Sequence, residues 1–222
     1  MVRRGCVVVA ASDSSKVEVR VRFPPPAQTL STFKNWGLFV TRTPYDAKET
    51  CLAEMRASFD EVMAMLDTIP RERMTDVGVT EEWSVRDVLA HEAGYERYVA
   101  AALFGDLTGT PPTTRDFYGR DDAPSKADEA SDDSTNAWVV AHARTQPVEG
   151  VLAEFRWAHD RLVEAVEACV EADFEDPKRF PSMKGKTLLA VLPGQCQGHH
   201  REHLRQLEPF ARKISTETRR PT

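Results

Sequence analysis

Apolar residues in this chain of 222 recur at alternating steps of three and four, a rhythm that leaves few architectures open. Over "TPYDAKETCLAEMRASFDEVMAMLDTIP" the row is Leu52, Met55, Phe59, Val62, Leu66 and Ile69, one face of a helix. Thr43-Pro44, followed by Asp46, marks its start and Pro70 its stop. A second helix opens within "EEWSVRDVLAHEAGYERYVAAALFGD", where Ser84 and Asp87 form a pair like a capping box and Gly105 marks the end. The third helical region is broken. "STNAWVVAHARTQ" is a short piece, and Pro147 begins a longer one with the row Leu152, Phe155, His159, Leu162 and Val166. A fourth helix begins near Lys186 or Thr187, is interrupted at Pro193-Gly194, and runs on through Leu207 and Phe210. Four amphipathic helices without credible strands predict an all-α fold, a four-helix bundle over residues 43–212.

The two ends read differently. In residues 1–42, "VEVRVRFPPPAQT" alternates like a strand and then meets three prolines, which cannot continue a paired ladder. No second β-rich segment stands out as its partner, so this part is expected to be a disordered tail. "VRFP" also reads like a frame through the T-arm of a tRNA gene, as if translation began later than Met1. "MVRRGCVVVAA" imitates a signal peptide, but its apolar core of about six residues is short of the roughly 7–15 a signal needs. At the other end, "KISTETRRPT" (213–222) is expected to fray.

A net charge of −6 and the lack of a basic stripe argue against nucleic-acid binding. No apolar run approaches the roughly 18 residues of a membrane span. The four cysteines, Cys6, Cys51, Cys169 and Cys196, are scattered without a CxxC pair, which suits a reducing, cytoplasmic setting. The polar stretch "TGTPPTTRDFYGRDDAPSKADEASDDS" is long for a connection within a bundle and is expected to cover a pocket or to be mobile.

The chemistry concentrates in "GQCQGHHREHLRQLEPF". The inward row of the fourth helix reads Leu192, Cys196, His199, His203, Leu207 and Phe210, with His200 rotated away and expected to be exposed. His199 and His203 are four apart and share one face. On the second helix His91 lies three after Val88 and four before Tyr95, on another inward-leaning row. Three imidazoles from two helices can therefore meet at one interior point. Burying them unpaired is costly, and they cannot all be protonated side by side. A divalent metal resolves both problems, and three histidine ligands leave a coordination position open. His159 and Cys196 read as core residues and His142 as a surface residue. "HHREH" also satisfies the inverted zinc-protease pattern H-x-x-E-H, which makes Glu202 a candidate base, although no counterpart for that enzyme's distant ligand is evident. Tyr95, close to His91, is a candidate to donate or accept a proton.

"EEWSVRDVLAHEAGYE" resembles the second-helix signature of DinB/YfiT-like proteins, and "TLLAVLPGQCQGHHREHLRQLE" is similar to the last helix of the ClbS/DfsB branch, with its Pro-Gly break. Asn136 fits that branch as well. The resemblance spans about Asp46 to Arg212. It implies a four-helix bundle whose metal ligands are His91, His199 and His203, holding zinc or nickel. It also implies a metal-dependent hydrolase or thiol-dependent transferase acting on a small, electrophilic and toxic metabolite, with a low-molecular-weight thiol as a potential co-substrate. A sequestering bundle without turnover is the alternative, and a homodimer is compatible with either. The chain departs from the family at Tyr95, where a tryptophan is usual, and at Gln195-Cys196, which replaces an asparagine-threonine pair.

Overall fold

The structure, a computed structural model, describes residues 7–10, 18–21, 47–80, 82–121 and 132–218. The chain divides into two units, Met1–Thr43 and Pro44–Thr222.

In the first unit β1 (Val7–Ala10) pairs antiparallel with β2 (Glu18–Val21), Val7 opposite Val21 and Ala10 opposite Glu18. The strand expected to be orphaned therefore has a partner. The signal was the run Val7-Val8-Val9, which reads as an apolar stretch of a leader yet is also β-branched and suited to a strand. The expected disorder of the rest of residues 1–42 lies outside the described residues.

The second unit is helical: α1 (Ala47–Leu66), α2 (Val85–Thr108), the short α3 (Thr114–Tyr118), α4 (Asp132–Ala143), α5 (Val148–Glu167), α6 (Leu188–Gln195) and α7 (Gln197–Thr218). α2 packs chiefly on α5 and α1 on α7, the four rods of the expected bundle. Among the described residues no helix is long and apolar enough to cross a membrane.

Helix ends follow local chemistry. The Ser84 side chain accepts from Asp87 N, and the Asp87 carboxylate accepts from Ser84 N at 2.9 Å, completing the capping box. Arg144, just past the end of α4, donates to both Asp87 oxygens at 3.2 and 3.0 Å and so ties the broken third region to the start of α2. Burial opposes charge on Asp87, but the hydrogen bonds from Arg144 and Ser84 outweigh it and hold the carboxyl below its ordinary value. α2 does not stop at Gly105. It continues to Thr108 and is capped by Gly109 at φ 69°, a left-handed position that favours glycine. Gly105 serves instead as a place of close approach, where a Cβ would stand 2.7 Å from Pro112 Cδ.

The fourth rod is interrupted, but not at the Pro-Gly pair: Pro193 and Gly194 lie within the last turn of α6, and the break falls at Cys196. Thr187 caps α6, and Cys196, at φ −138° and ψ −97°, forms the joint with α7. The joint folds so tightly that a Cβ on Gly198 would lie 2.3 Å from the Pro193 carbonyl oxygen. α7 then runs to Thr218 instead of fraying from Lys213. Ile214 is buried, and Glu217 accepts from Arg73 at 2.8 Å, which anchors the last turns.

The core is split in two. One apolar cluster includes Met55, Val99, Leu103, Leu162 and Leu192; the other includes Val62, Leu89, Phe155, Leu207 and Phe210. α1 and α7 run from the first cluster to the second, α2 and α5 the opposite way. At the crossover level each rod turns a buried polar residue inward: Ser58 on α1, Glu92 and Glu96 on α2, His159 on α5, and His200 on α7. A polar layer thus crosses an otherwise apolar bundle.

Candidate metal centre

α2 and α7 bring together the three expected histidines. His199 Nε2 lies 3.0 Å from His91 Nε2 and 3.0 Å from His203 Nε2. Their outer nitrogens are oriented by side-chain oxygens: His91 Nδ1–H donates to Asn136 Oδ1 at 3.1 Å, and His203 Nδ1–H donates to Gln206 Oε1 at 2.8 Å. With Nδ1 carrying the proton, the Nε2 lone pairs of His91 and His203 both face the same point. Hydrogen bonds of this kind on the far nitrogen are what fix the orientation of a ligand imidazole.

The electrostatics agree. Burial, then the neighbouring His203, pushes His91 down to about 4. Burial, then His203 and His91, pushes His199 down to about 3. Burial lowers His203 as well, partly offset by its bond to Gln206. At neutral pH the three rings are uncharged, the form that binds a metal. Lone pairs 3.0 Å apart repel one another unless a proton or a cation lies between them, and one proton on His199 can satisfy only one neighbour. Two imidazoles on a tetrahedral ion, with metal–nitrogen bonds of ~2.0 Å, stand about 3.3 Å apart. The donor set and its spacing fit a divalent cation of the zinc class.

The centre opens on a cavity of about 270 Å³, lined among others by His91, Tyr95, Tyr98, Tyr118, Asn136 and Gln195. Tyr95 is half-buried, its ring centroid 4.8 Å from that of His91 and 5.0 Å from that of His199. The flanks of the long polar stretch reach this cavity through Tyr118 and Asn136, while residues 122–131 lie outside the described residues. Two cations, Lys184 and Lys186, line it, and among the described residues no carboxylate does.

Several expectations change. His200 is not exposed but 1 % accessible, in the polar layer. The buried row of α7 runs Cys196, His200, His203, Leu207, Phe210, Ile214, and His199 flanks it on the cavity side. Glu202 is exposed and does not line the cavity, because it lies three residues past His199, about 60° around the helix in the direction away from that row. His159, by contrast, is a buried core residue as expected, its Nδ1 paired with Glu96 at 3.1 Å. His142 is half-buried against Trp138. Glu92 and Glu96 passed unnoticed in the sequence, although Leu89, Glu92, Glu96, Val99 and Leu103 keep the same three-and-four rhythm as any core row.

Comparison with known proteins supports the fold. A family model described as the DinB superfamily matches residues 52–207. No curated protein sequence matches the chain. A crystal structure of an uncharacterised protein from Escherichia coli UTI89 superposes with a TM-score of 0.61 at 15% identity, covering 77% of this chain and 95% of that one. A crystal structure of a protein from Streptococcus pneumoniae gives a TM-score of 0.62 at 11% identity, covering 76% and 92%.

Proposed function

The chain belongs to the DinB superfamily, and on that premise we propose that it is a metal-dependent enzyme acting on a small electrophilic metabolite, as a hydrolase or as a thiol transferase. The observation that carries this reading is His199 Nε2 standing 3.0 Å from both His91 Nε2 and His203 Nε2, beside a cavity of about 270 Å³ that His91 lines. His91, His199 and His203 would hold zinc or nickel, both suited to imidazole. Bound there, such an ion supplies Lewis acidity and brings the pKa of a nearby water or thiol towards ~7.

The remaining roles belong to the protein. Asn136 and Gln206 hold two of the rings in the tautomer that presents Nε2. Tyr95, with its ring beside His91 and His199, is placed to pass a proton to or from a group in the cavity. The Lys184 and Lys186 ammonium groups, with no carboxylate among the described lining residues, favour a substrate or thiol that carries an anionic group. The resemblance to the ClbS/DfsB branch supports a protective role against a toxic metabolite.

Metal-loaded protein assayed on electrophiles, with and without low-molecular-weight thiols, tests this. Turnover that His199→Ala abolishes is the expected result. Saturable binding without turnover would instead establish a sequestering bundle.

A further inference from the structure

The polar layer holds a second group of ligand-type atoms, away from the cavity. Glu96, His159, Cys196 and His200 each offer one such atom, and all four lie within 4.8 Å of one another. Glu96 Oε1 is the hub, 3.1 Å from His159 Nδ1, 3.1 Å from Cys196 Sγ and 3.1 Å from His200 Nε2. The four residues are 1, 3, 0 and 1 % accessible respectively, shut away from the surface.

Internal hydrogen bonding leaves this group incomplete. His200 Nε2 stands 3.1 Å from Glu96 Oε1 and 3.3 Å from Glu92 Oε2, yet neither contact has hydrogen-bond geometry. His159 Nε2, Glu96 Oε2 and both Glu92 oxygens also lack hydrogen-bond partners, but only His200 Nε2 is among the four converging atoms. An imidazole nitrogen orphaned this deep, against a carboxylate oxygen, is rare in a folded protein and costly, and calls for a partner between them.

We propose that Glu96, His159, Cys196 and His200 form a second, closed metal site, taking one zinc-class divalent cation and tying α2, α5 and the α6–α7 joint together. Two imidazoles, a thiolate and a carboxylate are all ligand types that zinc accepts, and four of them is the number that closes a structural site. Its charge closes: two positive charges on the ion against one each on Cys196 and Glu96, with neutral histidines. Loading the site releases the Cys196 thiol proton to solvent and moves no electrons. The site also gives the α6–α7 break a purpose, since Cys196 is the residue at the joint. It is independent of the function proposed for the three-histidine centre, which contains no sulfur.

That difference supplies the test. Protein produced in cobalt-supplemented medium is analysed for cobalt per chain and for thiolate-to-cobalt charge-transfer absorption in the near ultraviolet. Two equivalents and a charge-transfer band are expected. His199→Ala should remove one equivalent and keep the band; Cys196→Ser should abolish the band and keep the three-histidine cobalt. A wild-type protein whose bound cobalt shows no such band overturns the second site and leaves the proposed function standing. A band that survives Cys196→Ser overturns it too. One equivalent with a Cys196-dependent band supports the second site and counts against the three-histidine centre instead. The wild-type spectrum decides the matter even should a variant fail to fold.

Discussion

Asn136 Oδ1 accepts from His91 Nδ1–H at 3.1 Å, and through that one bond the broken third helical region reaches into the candidate metal centre on α2 and α7. The break that looks like a flaw in the bundle places α4 where its first turns can orient a ligand ring. Asn136→Ala should therefore weaken metal binding about 10–100-fold with all three histidines intact. Competition against a chelating dye measures it, and an unchanged affinity would show that the contact does not orient His91.

The Asp87–Arg144 pair predicts a stability effect. Asp87 has a folded pKa below its unfolded one, so its contribution is present above the unfolded value near 4 and is lost as pH falls through the folded value. Asp87→Ala, which also removes the cap, should cost about 1–2 kcal/mol in urea unfolding at pH 7. The gap between variant and wild type should narrow as the buffer is taken below pH 4. A gap that widens in acid would contradict the assignment.

Gly198 tests the joint. Alanine there puts a Cβ against the Pro193 carbonyl, where the available 2.3 Å is far too short. Gly198→Ala should destabilise the protein by about 1–3 kcal/mol and disturb His199 and His203 one turn further on. A thermal melt and a metal titration of the same sample report both effects.

The lysines lining the cavity predict selectivity. Lys184→Glu with Lys186→Glu should weaken binding of anionic thiols or electrophiles in a thermal-shift screen and leave neutral analogues and metal content unchanged. Equal loss for neutral and anionic compounds would remove the electrostatic argument.

Much of this was legible in the residues because it rests on spacing within single helices. The 3.6-residue rhythm located the rods, Ser84 and Asp87 the start of α2, and Pro193-Gly194 the existence of a break, which falls at Cys196. His199 and His203, one turn apart, could be placed together without knowing the fold. His200 could not, because the phase of the row is lost at the joint: 196 to 199 and 196 to 200 are equally good helical steps, and only the packing of α7 against its neighbours chooses between them. Glu92, Glu96 and Ser58 were hidden for a different reason. A polar residue within an apolar row normally signals the row's edge, and its burial becomes visible only when three other helices bring partners to the same level. The pairing of β1 with β2 was hidden because a triplet of valines after two arginines looks like part of a leader.

The central claim is that His91, His199 and His203 hold one metal ion. Zinc and nickel per chain, measured by elemental analysis on protein purified without chelators, should fall by one equivalent in His199→Ala relative to wild type, whatever the second site holds. An unchanged metal content in that variant, or no metal in the wild-type protein, would contradict it.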